Sequence, residues 1–466
     1  MYPNSYKDYR SLAYKHGLVP QFKVIPSRGL TPRQIFKRLR DLNPAYIFES
    51  LHPSAEDHHM AYIGFKAQDQ VTLHHMDDLD KKVFQTTFTH PDLPDFFGGY
   101  VGYRAYEDCL DDHNLPGQEE DGFYGFYSDL VVALNKDQET ITIVFSQRAS
   151  QTQYTVGLET IHLVEKLLAH ARPDSPRPSF DKTYHMTASM SPAAYKASVI
   201  KAKAAIQEGH IFQTVLSVGF SGPLDLAPLD LYESLCDYNP APHMVYMDCD
   251  HLTVLASSPE TMVKTSGSQV SLFPIAGTRA IKKDGKDQMR AKDLIHDPKE
   301  KAEHLMLVDL GRNDLNQICQ PASVRVKDFA SLKTYSRVMH LTSHLEGLME
   351  VPSARLALKA TCPAGTVSGA PKRQAMKILQ DLEGQKRGLY GGCLFRLNLR
   401  GDLSSCLVIR TLVVQDQTLH FRSGSGLVIE SSPEGEHKEI LNKAEGLFQS
   451  IRPFYKGGLS HDFSHR

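Results

Sequence analysis

Two acidic pairs in the sequence have a spacing that could hold a cation. Glu300 and Glu303 stand three apart behind Asp297-Pro298-Lys299, and Glu436 and Glu439 repeat that spacing behind Ser432-Pro433. Residues three apart share one face of a helix. Brought together, the two faces would offer up to four carboxylates to one hard cation, the oxygen set that Mg²⁺ takes. Each pair alone reads as solvated helix surface, with Glu300 as a capping residue. A second signal is the Gly-rich segments: Gly277-Thr278, AGTVSGAP at 364–371, Gly391-Gly392 and SGSG at 423–426. Glycine lets backbone N–H groups approach an anion, although a lone glycine turn is usually only a turn. None of them makes a Walker or dinucleotide fingerprint. Arg410 follows Val408-Ile409 in an apolar run that reads as a strand. A charge there needs a partner, either a structural carboxylate or the carboxylate of a substrate. His340 reads by default as a hydrogen-bonded core histidine.

The elements that must position these residues are legible in outline. Asp297-Pro298 and Ser432-Pro433 are each an N-cap followed by a proline at the first helical position, so a helix starts at both. Ile440, Ala444, Leu447 and Phe448 then anchor the second helix to a core. Ser191-Pro192 opens another helix, with Tyr195, Val199, Ala202 and Ile206 on one stripe and Gly209 as its stop. Strand-like runs occupy 129–134, 140–145, 212–220, 243–256, 269–275, 389–399 and 406–414, and a helical stretch lies at 156–171. Many strands adjacent in sequence favour a largely antiparallel α+β layer structure over a doubly wound one. The Pro-rich stretch at 172–179 reads as a boundary.

Composition narrows the function classes. The 466 residues carry 52 Lys and Arg against 54 Asp and Glu, a balance with no footprint for nucleic acid or an acidic membrane. Any anionic ligand must be met by a local site. No run reaches the ~18 apolar residues that span a bilayer, and the first residues lack a secretory core. Seven scattered cysteines without a C-x-x-C pair read as reduced thiols of a cytoplasmic protein. Tryptophan is absent. Chance would explain that, and so would synthesis when tryptophan is scarce.

Taken in order, these segments form one set: PIAGTR at 274–279, DPKEKAEHLMLVDLGRNDL at 297–315, YSRVMH at 335–340, PAGTVSGAPK at 363–372, LYGG at 389–392, IRT at 409–411, GSG at 424–426 and NKA at 442–444. The set closely resembles the chorismate-utilising enzyme family. FFGGYVGYRAYED at 96–108 and Phe48-Glu49-Ser50 are similar to the N-terminal domain of its anthranilate-forming branch. The resemblance implies an α+β fold of two stacked, mainly antiparallel β-sheets flanked by helices. It divides the chain into an N-terminal domain at 1–172 and a chorismate-binding catalytic domain at 188–455. Mg²⁺ is implied as cofactor, bound most directly by Glu303 and Glu439, with Glu300 and Glu436 in the same acidic shell. The ring carboxylate of chorismate would lie on the metal near Gly277 and Thr278. Tyr390, Arg410, Gly424 and Gly426 would grip the enolpyruvyl carboxylate, and Lys443 would balance the acidic site. Glu260 resembles the acid that protonates the leaving 4-hydroxyl, with His340 assisting near the ring and Thr366 in the same catalytic set.

Branch-specific positions point to amination. Water-adding members carry Lys where this chain has Gln213, because water needs a base and ammonia does not. The 4-amino-4-deoxychorismate synthases place a nucleophilic Lys where Ala276 stands, and tend to read GGSITG where this chain has AGTVSG at 364–369. The implied reaction converts chorismate and ammonia into anthranilate and pyruvate, in tryptophan biosynthesis. Release of 2-amino-2-deoxyisochorismate is the neighbouring alternative, and a non-catalytic tryptophan-sensing paralogue is the alternative of another class. No G-x-C-x-G-x-Q nucleophile motif occurs, so ammonia would come from a separate glutamine amidotransferase subunit in a hetero-oligomer. Ser50, Pro242, His243 and Met244 match the family's tryptophan feedback pocket, but His243 stands where Tyr is usual. Val218-Gly219 and Ser404 also depart from the pattern, replacing Gln-Arg and Asp.

Overall fold

The computed structural model describes residues 1–462 except 53–58, 68–71, 82–85, 118–121, 172–175, 283 and 335–337. The described strands form a 13-stranded and a nine-stranded sheet. Every ladder is antiparallel except that between Leu459–Asp462 and Tyr184–Ala188. The sheets stack face to face, as strand alternation requires. Val245, Met247, Val254 and Ala256 of the larger sheet pack against Val101, Tyr103, Leu394 and Cys406 of the smaller one. The intervening Met244, Tyr246 and Leu255 turn outward to a second core under the helices. Both sheets hold strands from each side of the 172–179 stretch: Tyr46–Glu49 pairs with His243–Asp248, and Gly99–Arg104 with Cys393–Asn398. Residues 172–175 of that stretch lie outside the described residues.

Helix starts follow the capping chemistry. Asp297 accepts from the N–H groups of Lys299 and Glu300 to open Pro298–Asn316, and Ser432 accepts from Gly435 to open Pro433–Ile451. Ile440, Ala444, Leu447 and Phe448 are all buried, and the Phe448 ring meets Phe220 and Phe421 of the larger sheet edge-on. Among the described residues no helix is long and apolar enough to cross a membrane.

Two runs read as single strands are each two strands. Residues 243–256 form the hairpin His243–Asp248 and Thr253–Ser258, turning through Asp250 at φ 67°. Residues 406–414 divide between Leu403–Leu407 in the smaller sheet and Thr411–Gln415 in the larger one. Arg410 is therefore not a strand residue. It sits in the crossing between sheets at φ 49°, a left-handed conformation that costs a side-chain-bearing residue energy and tends to persist at functional sites. A second crossing runs beside it, from Thr253–Ser258 in the larger sheet to Thr261–Ser266 in the smaller, through Pro259 and Glu260. The two crossings are stitched together. Leu407 N–H donates to Glu260 O at 3.0 Å, Ser257 N–H to Arg410 O at 3.1 Å, and Ser258 Oγ to Leu407 O at 2.6 Å.

Candidate active site

The twin crossings place a carboxyl and a guanidinium at the seam between the sheets. Glu260 is buried, and burial pushes its carboxyl up to about 7, against the opposing pull of the Thr366 hydrogen bond and the Arg410 charge. Thr366 Oγ1 donates to Glu260 Oε1 at 3.0 Å. Burial lowers the Arg410 guanidinium from its ordinary value, with Glu260 as the opposing influence. Among the described residues no side chain forms an ion pair with it. A half-buried cation so placed favours an anion arriving from solution.

A buried ion-pair cluster holds the surrounding loops. Arg387 makes a forked pair with Glu383, 2.7 and 2.9 Å, and spends its remaining donors on Val367 O at 2.7 Å and Val215 O at 2.6 Å. One guanidinium thus fixes the segment after Thr366 and the strand that begins at Gln213. Glu383 also accepts from Ser217 N and Oγ at 2.8 and 2.9 Å. Burial would raise this carboxyl, but Arg387, Arg422 and the Ser217 N–H hold it below the ordinary range. Buried Gln213 pairs through its backbone with Ala370.

The glycines at 424 and 426 lie inside the strand Thr418–Leu427, not in a turn as the sequence suggested. Their reason is space. A Cβ at Gly424 would collide with the hydroxyl of buried Tyr390, while the Cβ direction at Gly426 meets nothing within 4 Å. Lys443 Nζ donates to Gly424 O at 3.1 Å and pairs with Glu439 at 2.7 Å, binding the acidic helix to this strand. Gly277 likewise lies within a strand, Ile275–Ala280, at φ 63°. Any Cβ there would come within 2.9 Å of Glu300 Oε2. Its carbonyl accepts from His340 Nδ1 at 3.0 Å. A carbonyl only accepts, so Nδ1 carries the proton and Nε2 is the basic nitrogen. Burial holds this imidazole below its ordinary range, Arg410 adds to that, and the Gly277 carbonyl opposes it. The Thr278 backbone pairs with His340, and its side chain lies outside the described residues.

The two acidic helices are unequally tied. Glu300 is paired with Arg279 at 2.7 Å, which also holds Asp297 at 2.8 Å. Among the described residues Glu303 has only Lys299 as an ion-pair partner, at 3.6 Å, and burial raises its carboxyl with help from Glu300 and Glu430. Glu430 stands two residues before Ser432, the N-cap of Pro433–Ile451, and its charge reaches Glu303. Glu436 Oε2 is buried without a hydrogen-bond partner among the described residues. Among the described residues no three His, Cys, Asp or Glu side chains form a ready metal cage. Mg²⁺ needs less, because it commonly keeps several waters and takes one or two carboxylates together with substrate oxygens. An orphaned carboxylate oxygen on Glu436 and the crowded Glu303 suit that donor set.

Sequence reasoning gave no role to Arg279, Glu383, Arg387 or Glu430. The Glu383–Arg387 spacing was a visible ion-pair signal, while Arg279 and Glu430 become relevant only through tertiary contact.

Ser50, Pro242, His243 and Met244 come together elsewhere, on a cavity of about 430 Å³ that lies beyond Glu260. Pro259 and Thr261, its chain neighbours, line the wall, and His243 Nε2 meets Thr261 Oγ1 at 2.8 Å. Lys264, Arg396 and Ser404 also line it. A smaller cavity of about 50 Å³ touches Glu260 and Thr366 directly, against Leu307 and Leu310.

Known proteins share this architecture. Residues 43–449 match the model of the chorismate binding enzyme family. Anthranilate synthase component 1 of Thermus thermophilus is 36% identical over 379 residues, covering 80% of this chain and 81% of that protein. The crystal structure of anthranilate synthase component I from Streptococcus pneumoniae TIGR4 superposes with a TM-score of 0.72 at 28% identity, covering 92% of both chains. The menaquinone-specific isochorismate synthase of Escherichia coli gives 0.71 at 18% identity, covering 96% of this chain and 99% of that one, and shares the fold. With a family model spanning most of its length and relatives this similar, the chain belongs to the chorismate binding enzyme family.

Proposed function

We propose that this chain is the synthase component of an anthranilate synthase, aminating chorismate and expelling pyruvate. The observation that carries the reading is the seam itself. Buried Glu260 titrates near 7 and is held by Thr366, beside an Arg410 that has no ion pair among the described residues. A carboxyl in that range is still partly protonated at neutral pH and can give a proton to a departing hydroxyl. Arg410, with Tyr390 and the Gly424–Gly426 backbone, would receive the enolpyruvyl carboxylate. Glu303 and Glu439 would hold Mg²⁺, with Glu300 and Glu436 nearby and the ring carboxylate toward Gly277 and Thr278. Bound there, the ion supplies positive charge that draws electrons toward the ring carboxylate. Ammonia adds at C2 as the 4-hydroxyl leaves with the Glu260 proton. Loss of the C2 proton together with pyruvate then restores an aromatic ring, and neutral His340 stands beside Gly277 to assist.

Gln213 supports ammonia over water, since a neutral amide does not activate water. The ammonia source in this reading is a separate glutamine amidotransferase subunit, in keeping with relatives named as a component 1. The 430 Å³ cavity is read as a tryptophan feedback site, because Ser50, Pro242, His243 and Met244 all line it. All seven cysteines are free and buried, as suits a reducing compartment. The test is direct. Purified protein with chorismate, Mg²⁺ and ammonium should form fluorescent anthranilate and pyruvate. Accumulation of an aminated intermediate with no pyruvate, or no product at all, would overturn the assignment.

A further inference from the structure

The helix Pro298–Asn316 carries Glu300 and Glu303, so what fixes its rotation fixes those carboxylates. Its N-terminus is held by Arg279 and its C-terminal half by a buried Asp314–Lys372 pair at 2.8 Å. Between them lies His304, fully buried, with Nε2 2.6 Å from Ser343 Oγ. Neither the family motifs nor the chemistry above gives this histidine a task.

Its hydrogen bonding can be assigned. His304 Nδ1 is buried and has no hydrogen-bond partner among the described residues. If the serine hydroxyl donated to Nε2, the ring proton would sit on Nδ1 as an orphaned buried N–H, the rarer and costlier defect. The other tautomer leaves Nδ1 a bare acceptor and makes Nε2–H the donor to Ser343. Ser343 Oγ also accepts from Ala330 N–H at 2.9 Å. Ala330 is itself left-handed, at φ 51°, where the strand Arg325–Thr334 slips register against Val338–Leu348. One serine oxygen therefore secures both a strained bulge and the active-site helix. Both of its lone pairs are used, so its hydroxyl hydrogen is left to donate on the wall of the 430 Å³ cavity.

We infer that His304 is a positioning residue whose bond to Ser343 sets the azimuth of the Glu303 carboxylate for divalent-cation binding. One helical residue turns the face by about 100°, so Glu303 points well away from His304 yet rotates rigidly with it. A bond of this kind matters for a cation because donor direction governs affinity, and losing a partner behind the donors commonly costs about 10- to 100-fold. The inference rests on the reading of Glu303 as a cation donor.

The experiment titrates the full chain with Mn²⁺ as probe, followed by electron paramagnetic resonance, with thermal melting measured in parallel. Ser343→Ala and His304→Leu should weaken Mn²⁺ binding about 10-fold or more. His304→Gln, whose amide can reach the Nε2 position, should recover binding to within about threefold of wild type. Variants that melt earlier yet bind Mn²⁺ like wild type would show a structural histidine only and overturn the inference. If His304→Leu does not fold, Ser343→Ala and His304→Gln decide by the same measure. A wild-type chain that binds no Mn²⁺ would instead remove the cation reading on which the inference stands.

Discussion

The Thr366 hydroxyl donates to Glu260 Oε1 at 3.0 Å, joining the 364–369 segment to the point where the chain passes between its two sheets. This bond favours the ionised carboxylate and so opposes the burial that raises Glu260 to about 7. Removing it in Thr366→Val should move the alkaline limb of kcat/KM for chorismate to higher pH. The pH–rate profile checks this, and an unmoved limb would show that another group sets it.

Glu260 also links activity to stability. Its folded value of about 7 lies above the ordinary carboxyl value of 4.5. The group thus contributes stability that is full below about pH 4.5 and is lost as pH rises through about 7. Gln is neutral throughout and keeps that contribution. Glu260→Gln should therefore melt a few degrees above wild type at pH 8, with no difference near pH 4.5, while turnover falls about 10²- to 10⁴-fold. Scanning calorimetry at the two pH values is sufficient.

The contrast between the acidic helices and Arg410 shows what a sequence can encode. Asp297-Pro298 and Ser432-Pro433 act on backbone within three residues, so both helix starts were readable from local chemistry. Arg410 was misread as a strand residue, because the apolar run continues through Val408 and Ile409 while the chain changes sheets. A continuous apolar run records that residues are buried, not which sheet buries them. Gly424 was misread as a turn for a similar reason: its requirement comes from the Tyr390 hydroxyl, 34 positions earlier in the chain. The site roles of Glu260, His340 and Tyr390 came from family resemblance alone. No local pattern distinguishes a carboxyl that will be buried beside a guanidinium.

Arg410 tests the anion reading. Arg410→Lys keeps a positive charge but loses the planar fork, and kcat/KM for chorismate should fall about 10²-fold or more, mostly in KM. Arg410→Gly should lose activity further without destabilising the fold. It removes a half-buried charge that has no ion pair among the described residues and relieves a left-handed φ of 49°. Steady-state kinetics and melting curves on the same preparations separate the two effects.

Arg387 behind the site should behave oppositely. Arg387→Met would remove the forked partner of the buried Glu383 carboxylate, leaving it the longer pair to Arg422 at 3.3 Å, and free the Val367 and Val215 carbonyls, costing about 3–5 kcal/mol. In wild type the depressed Glu383 value contributes stability above about pH 4.5 that is lost as pH falls through the folded value. Acid denaturation monitored by circular dichroism should therefore begin in that window. The double variant Arg387→Met, Glu383→Leu should recover only part of the loss, because Arg422, which also pairs with Glu383 at 3.3 Å, is then left without its carboxylate.

The 430 Å³ cavity and the catalytic seam share one short segment, Pro259-Glu260-Thr261, with its outer residues on the cavity and Glu260 in the site. His243 on the cavity wall meets Thr261 Oγ1 at 2.8 Å, so an occupant that moves His243 acts one residue from the proton donor. L-Tryptophan should bind this cavity and raise the apparent KM for chorismate. Linkage then fixes a second result: at equilibrium, chorismate must weaken tryptophan binding by the factor by which tryptophan weakens chorismate binding. Calorimetric titration of the Glu260→Gln variant, which binds chorismate but turns over slowly, measures both factors. Unequal factors would mean that the two ligands do not form one ternary complex. Equal factors near one would place tryptophan in the cavity with no influence on Glu260, and the His243–Thr261 contact would then carry no signal.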